Sequence, residues 1–235
     1  MIFFEKEAKN MAFTGFTAET IDFLWALRMQ NEKAFMEQNR ERYYNVLKEP
    51  FDLCSAALYE AFTKKHQLHM DYAISRINRD IRFSKDKSPY KARKWVVLKE
   101  ALTTTQHWKF RPVFYFELMP EGYAYGMGVY EASPAYMRAF RQKIDASPAT
   151  FTRLAKKVEK YKQYILYGDC YKRMKSKHAY EKTIQNWYER KSLNLTANRE
   201  IDDLLFLPDL VDFVVEEWEK LLPMYTFLKN IVPQE

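Results

Sequence analysis

Apolar side chains recur at helical spacing through the first part of the chain. Thr17 precedes the stretch AETIDFLWAL, which predicts an amphipathic helix. A second helix is predicted over about 32–48, and Pro50 is expected to end it and to start a third, because proline disfavours a helical residue before it. The first helix is expected to bury an apolar stripe made of Ile21, Leu24, Trp25 and Leu27.

From Tyr72 the apolar period changes to two, which is typical of β-strands. This extended segment is predicted to continue to Phe83, with one mostly apolar face and a second face that turns polar at Arg76. Three more strands, rich in Val, Phe, Tyr and Trp, are predicted over residues 94–102, 111–118 and 123–130.

The last two of these strands are expected to form a hairpin. Their connection, Met119-Pro120-Glu121-Gly122, has the composition of a tight turn. In the second strand of the pair, the small residues Ala124, Gly126 and Gly128 share one face. This strip would let a ligand or another backbone approach closely, and tight packing beneath a helix is the alternative interpretation.

The rest of the chain is predicted to be mixed and mostly helical. Helices are expected over about 135–145, 149–160, 180–190 and 208–230, with a short strand at 164–167. The acidic residues of the last helix are expected to face water. We therefore predict a single α+β domain: a mainly antiparallel sheet, with an N-terminal helical segment and further helices packed on it. Its predicted parts are a disordered extension at 1–11, a helical segment at 12–66, central strands at 72–130 and the mixed region at 133–235.

The charge of the chain is unevenly distributed. The net charge is +7, and residues 76–94 hold eight Lys and Arg residues against two acids. Residues 153–191 are also basic, whereas residues 200–235 are strongly acidic. Basic regions attract nucleic acid, phosphorylated metabolites or acidic surfaces, and a solvated basic face is the alternative. No apolar run is long enough for a membrane span, so we expect a cytoplasmic protein without a membrane partner.

Most familiar catalytic and cofactor motifs are absent from the sequence. Cys54 and Cys170 lack the spacing of a metal site, and Cys54 lies on an apolar helical stripe that favours an inert core thiol. His66 and His69 have no neighbouring set of ligands, which favours a helix end at the surface. Neither a metal nor a cofactor is predicted.

One stretch, RDIRFSKDKSPYK at residues 79–91, concentrates cations, acids and hydroxyls. Guanidinium groups suit oxyanions because they donate paired hydrogen bonds. The candidate ligand-binding residues are Arg76, Arg79, Asp80, Arg82, Ser84, Lys85, Asp86, Lys87, Tyr90 and Lys91. In the alternative interpretation, the two aspartates pair with Arg79 and Arg82 to brace an exposed loop.

The stretch RINRDIRFSKDKSPYK resembles the signature of the family called domain of unknown function 2461. FTGFTAETIDFL, FYFEL and GMGVY resemble other parts of that family, so the similarity covers most of the chain. Lys172 and Arg173 resemble a later basic motif and are a candidate secondary contact, but the residues after them depart from the family pattern. Ala34 also stands where relatives carry a tryptophan. The resemblance implies a fold and the location of a site, and it implies no activity.

Three functional hypotheses follow. The first is a domain that binds a phosphorylated small molecule or another oxyanion through residues 79–91. The second is nucleic-acid binding through the basic surface, with Trp95, Trp108 and Tyr90 among the cations. The third is an enzyme acting on a phosphoester, with Asp80 or Asp86 as acid, base or metal ligand.

Overall fold

The computed structural model describes residues 12–82, 85–101, 110–172 and 179–233. The predicted extension at 1–11 lies outside this range, as do Phe83, Ser84, Trp108 and Arg173. The described chain is α+β, as predicted. The helices are α1 (Ala18–Met29), α2 (Lys33–Gln38), α3 (Arg40–Arg42), a π-helix (Tyr43–Lys48), α4 (Glu49–His66), α5 (Pro134–Ala146), α6 (Pro148–Glu159), α7 (Lys182–Tyr188), a 3-10 helix (Asp203–Phe206) and α8 (Leu210–Lys229).

All the strands of the described ranges belong to one antiparallel sheet with the order β1-β2-β3-β4-β6-β5. They are β1 (Met70–Ile74), β2 (Lys94–Glu100), β3 (Pro112–Met119), β4 (Gly122–Val129), β5 (Ile165–Tyr167) and β6 (Leu193–Glu200). The predicted hairpin is confirmed, since Met119 pairs with Gly122. The helices predicted after residue 130 are confirmed within a few residues of their expected bounds.

The hydrophobic core lies between α4, α8 and one face of the sheet. Phe62 of α4 and Phe114 of β3 meet at 4.8 Å between ring centroids, and Tyr225 of α8 stacks on Phe114 at 4.7 Å. The indole of Trp218 is fully buried, and its Nε1 donates to the carbonyl of Tyr115 over 3.2 Å. Cys54 is buried in the same core, where desolvation raises the pKa of its thiol, as expected for an inert residue.

The expected burial of Trp25 is wrong. The stripe that α1 buries runs through Phe23, Leu24 and Leu27, whereas Trp25 is 41% exposed. Arg28, one turn along the helix, covers the indole ring of Trp25 at 5.1 Å, which shields part of its apolar surface from water. An aromatic residue beside the stripe was therefore mistaken for a member of it.

The predicted break at Pro50 is also wrong, because the chain stays helical from α3 through the π-helix into α4. Pro50 has no N–H, so the carbonyl of Val46, four residues earlier, lacks its usual helical partner. The hydroxyl of Thr20 in α1 donates to this carbonyl over 2.7 Å. A side chain thus donates to the carbonyl that Pro50 cannot bond, within a helix that continues past the proline.

The extended segment expected up to Phe83 ends at Ile74. Ile74 pairs with Val96, and the N–H of Ser75 still donates to Trp95 O over 2.8 Å. Because β2 begins at Lys94, the partner strand runs out within the next two residues. The following residues form a loop that is closed by an isolated bridge between Asn78 and Tyr90. The predicted polar strand face from Arg76 onward is therefore not formed.

Strand β6 was not predicted, although it lies inside the sheet between β4 and β5. Its backbone covers the small-residue strip of β4, since a Cβ at Gly126 would lie 1.9 Å from the carbonyl oxygen of Leu195. Gly126 pairs with Tyr115 on one side and Thr196 on the other, and the Tyr115 hydroxyl donates to Thr196 over 2.7 Å. Another backbone thus occupies the predicted strip, and the Tyr115 side chain bridges it.

Helix α8 buries one of its acids, which contradicts the expectation that they all face water. Glu217 is 5% exposed and accepts hydrogen bonds from Gln163 over 2.9 Å and from the Tyr164 hydroxyl over 3.1 Å. It also pairs with Lys220. These contacts compensate the buried charge and hold the segment before β5 against α8. Across the described ranges, none of the helices combines the length and apolar character needed to span a membrane.

Candidate functional site

The loop that carries the candidate motif is fixed at its base by backbone hydrogen bonds. The N–H of Arg79 donates to Pro89 O, and the N–H of Lys91 donates to Ile77 O, each over 2.8 Å. Asn31, between α1 and α2, adds a clamp: its side-chain amide donates to Tyr90 O over 3.1 Å and accepts from the Tyr90 N–H over 3.0 Å. The loop is therefore attached both to the sheet and to the N-terminal helices.

Arg79 turns inward across this loop, and its side chain is 23% exposed. Nε donates to Ser88 O over 3.2 Å, and Nη2 donates to Tyr90 O over 3.2 Å and pairs with Asp86 at 2.9 Å. Asp86 also accepts from the hydroxyl and the N–H of Ser88, and these bonds, together with the charge of Arg79, lower its pKa. One predicted bracing pair is thus present.

Asp80 and Arg82 form the second pair, farther out on the surface. Arg82 is 76% exposed and donates from Nε and Nη2 to the two carboxylate oxygens of Asp80 over 2.9 and 2.7 Å. The side-chain and backbone hydrogen bonds from Arg82 lower the pKa of Asp80 to about 2. A carboxylate with so low a pKa is a weak general base.

The lysines of the motif point in several directions. Lys87 donates to Ile81 O over 2.8 Å, while Lys91 donates to Arg76 O over 3.0 Å and lies 4.8 Å from the centroid of the Trp95 ring. Burial, together with the nearby arginines, lowers the pKa of Lys91. Three other candidates, Arg76, Lys85 and Lys172, are exposed.

The side chain of Tyr90, one of the candidate ligand-binding residues, does not line the cleft described below. Its side chain is 9% exposed and belongs to the hydrophobic core, so only its backbone takes part in the loop contacts. Ser84 and Arg173 lie outside the described residues.

A cleft of about 1040 Å³ opens between the motif loop, the β3–β4 turn and the end of β6. Among the candidate residues, Arg79 and Asp86 line it, and the other described candidates do not. The full lining is Arg28, Asn31, Arg79, Asp86, Ser88, Ala92, Arg93, Met119, Glu121, Gly122, Tyr123, Asn198, Arg199 and Glu200. Sequence reasoning therefore located one wall of this cleft and missed the opposite one.

Four arginines reach the cleft from four separate segments. Arg28 belongs to the last turn of α1 and pairs with Glu121 of the hairpin turn. Arg93 precedes β2 and pairs with Glu117 at 3.1 Å, and burial raises the pKa of this glutamate. Arg199 of β6 pairs with Asp202. The fourth is Arg79 of the motif. Together with three lining acids, they make the cleft strongly polar.

The end of β6 contributes side chains of a different kind. Asn198 and Glu200 are separated by one residue and therefore lie on the same face of the strand. Within the described ranges, neither side chain takes part in a hydrogen bond or an ion pair. The floor beside them is fixed by the Tyr123 hydroxyl, which donates to Asp202 over 3.1 Å.

Some of the lining residues that were not among the candidates could have been predicted from the sequence. Arg93 lies two residues beyond the motif, and Asn31 lies in the segment compared with the family pattern. Asn198 and Glu200 belong to the unpredicted strand, whose buried Leu193, Leu195 and Ala197 alternate with polar residues. Recognising that alternation would have identified the second wall.

Most of the chain matches one protein family. Residues 19–227 match the family described as "Conserved hypothetical protein (DUF2461)". The chain belongs to this family. No curated protein matches this DUF2461 chain. In the part of the chain that the structure describes, no group of three or more His, Cys, Asp or Glu residues is arranged to hold a metal ion.

Proposed function

We propose that the cleft binds a phosphorylated small molecule or another oxyanion. The observation that supports this proposal is the convergence of Arg79 and Arg93, together with Ser88, on one wall of a single concave surface. Arginine forks recognise phosphate and carboxylate groups through charge-assisted hydrogen bonds. The motif then has two functions, because the contacts that brace the loop also hold Arg79 at the cleft.

Both arginines keep donors beyond those that their acidic partners use. Arg79 uses Nε and Nη2 in its loop contacts, and its Nη1 makes no hydrogen bond with a described residue. Arg93 pairs with Glu117 through Nη1 and stacks on Trp95 at 5.4 Å. Since a guanidinium carries five N–H donors, each side chain can still donate to a ligand.

Arg93 offers the cleaner test, because replacing Arg79 would also disturb the loop. Isothermal titration calorimetry with inorganic phosphate and sulfate should show binding to the wild type. Arg93→Gln should weaken that binding about tenfold, since one charge-assisted hydrogen bond is worth roughly 1.5–3 kcal/mol. The exposed Arg153→Gln on α6 removes the same charge at a distance and should bind like the wild type. Equal affinities for all three proteins would contradict the proposal.

Nucleic-acid binding stays an alternative hypothesis. Single strands bind to platforms of exposed aromatic rings, and Tyr123, the one aromatic residue in the described lining, is fully buried. The absence of an exposed aromatic ring from the described lining therefore favours a small anion over a nucleic-acid strand. The nucleic-acid hypothesis requires binding that weakens as salt rises.

The phosphoester-enzyme hypothesis also stays a prediction. Asp80 and Asp86 both have lowered pKa values, which favours the ionised form and weakens each as a proton acceptor. Retention of every detectable activity by Asp80→Asn would remove its main candidate.

A further inference from the structure

The two sides of the cleft differ in the hydrogen bonds they can offer. On the loop side, Arg79 and Arg93 present N–H donors. On the β6 side, Arg199 is paired with Asp202. Glu200 can only accept hydrogen bonds when ionised, and Asn198 can both donate and accept. A phosphate group matches the first side and is repelled by Glu200, so a ligand that fills the cleft must carry a different group at its other end.

The acids of the lining are not equivalent. Asp86 accepts from Arg79 and Ser88, and Glu121 accepts from Arg28. Glu200 is exposed and makes no such contact within the described chain. It is therefore the lining carboxylate that remains open to donors on a ligand.

Strand register gives the distance between the two sides. Lys94 pairs with Leu118, so Arg93 lies opposite Met119. Met119 pairs with Gly122, and Gly122 pairs with Glu200, so the four residues form one row across the sheet. Three strand spacings separate the backbones at the ends of this row, or about 14 Å. The side chains of Arg93 and Glu200 reach into that interval. Asn198 lies about 7 Å from Glu200 along β6.

The remaining lining narrows the chemistry of the ligand further. Ala92 and Met119 are its apolar members, and it offers no exposed aromatic face for stacking among the described residues. A purine or another flat apolar group would gain little here, because stacking needs such a face. A carboxylate, an amide and arginines together suit several hydroxyl groups, each of which donates and accepts.

We propose that the ligand is a phosphorylated polyol of the sugar phosphate class. Its phosphate lies against Arg79 and Arg93, and its hydroxyl groups hydrogen-bond to Asn198 and Glu200. This inference rests on the proposed function, because it assigns a ligand class to the same cleft.

Calorimetric titrations of the full chain with four probes test the inference: inorganic phosphate, glucose 6-phosphate, glucose and adenosine monophosphate. We expect glucose 6-phosphate to bind about tenfold more tightly than inorganic phosphate, as two added hydrogen bonds would provide. Glu200→Gln should remove most of this difference and leave phosphate affinity equal or higher, since a repelling charge is lost. Glu216→Gln, an exposed change on α8, should behave like the wild type.

The outcomes separate the two proposals. Phosphate binding without any preference for the sugar phosphate overturns the ligand class and leaves oxyanion binding in place. Tighter binding of adenosine monophosphate than of glucose 6-phosphate also overturns the class. An unchanged preference in Glu200→Gln would place the hydroxyl contacts elsewhere and contradict the assigned residues. No binding of any phosphate compound would refute the ligand class, and no binding of sulfate either would refute oxyanion binding as well.

Discussion

At the scale of single residues, several side chains complete hydrogen bonds that the backbone leaves unmade. The Thr20 hydroxyl donates to the Val46 carbonyl, to which Pro50 cannot donate because it has no N–H. Asn31 binds both backbone groups of Tyr90 and so anchors the motif loop. Such contacts join segments far apart in the chain, and buried polar groups without partners would be costly.

We expect Thr20→Val to lower the free energy of unfolding by about 1–3 kcal/mol, because it removes the hydroxyl that donates to the Val46 carbonyl and accepts from the N–H of Thr17. Urea denaturation at neutral pH measures the change. Thr63→Val is the matched control: Thr63 donates to Tyr59 O inside α4, where the helix already supplies a donor. Equal losses in the two variants would show that the Val46 carbonyl has found another partner.

Part of the candidate site was predictable from neighbouring residues alone. The pairing of Asp80 with Arg82 and of Asp86 with Arg79 follows from short-range spacing, and one of the two alternatives described these pairs correctly. The position of Arg79 in a cleft was not predictable in this way. The opposite wall of that cleft contains Asn198 and Glu200, and the pairing of β4 with β6 brings them there.

At the scale of elements, the central strand β4 determines how closely its neighbours approach. Every residue of β4 is buried, and β6 passes over Gly126 closely enough to exclude a Cβ. The Tyr115 side chain crosses Gly126 to reach Thr196 on the next strand. Aromatic residues protect strand glycines in this way in other sheets. The glycine and the tyrosine therefore form one packing unit.

Gly126→Ala should destabilise the protein by about 1–3 kcal/mol, since an added methyl group forces the strands apart. Tyr115→Phe keeps the ring and loses the bond to Thr196, which should cost about 0.5–1.5 kcal/mol. Thermal and urea unfolding would rank the two variants. A Gly126→Ala protein as stable as the wild type would mean that β4 and β6 are not so closely spaced.

Most elements were predictable because their patterns are local. Helices α5 and α6 begin at Ser-Pro pairs, and the β3–β4 hairpin is set by its turn residues. β6 was missed because Asn194 and Asn198 are poor strand formers, and its place in the sheet depends on a strand about 70 residues earlier. The continuity of α3, the π-helix and α4 was missed because Pro50 was expected to end a helix, and the contact of Thr20 with Val46 comes from a distant segment.

At the scale of the whole molecule, ion pairs connect the C-terminal helix to the sheet. Glu100 at the end of β2 pairs with Lys229 of α8 at 2.9 Å and with Arg111 at 2.8 Å. Burial acts to raise the pKa of Glu100, but the hydrogen bonds from Lys229 and Arg111 outweigh it and the pKa falls. The charged form of Glu100 is thus favoured in the folded protein.

The pKa of Glu100 is lower in the folded protein than its unfolded value of 4.5. Its ion pairs therefore stabilise the fold above pH 4.5, and this stabilisation is lost as the pH falls through the folded pKa. Glu100→Gln should therefore destabilise the protein by roughly 1 kcal/mol at neutral pH, because solvent partly screens these pairs. The difference from the wild type should shrink towards about pH 3. Urea denaturation at both pH values tests this, with the exposed Glu216→Gln as control. A difference that is constant with pH would contradict the linkage.

The walls of the cleft come from residues as far apart as Arg28 and Glu200. During synthesis on the ribosome, the N-terminal helices and the first four strands emerge well before β6, so a nascent chain has one wall of the site and lacks the other. A ligand that needs both walls, such as the proposed sugar phosphate, would not stabilise such an intermediate. It would act only on the finished fold, where it would connect the motif loop to the end of β6.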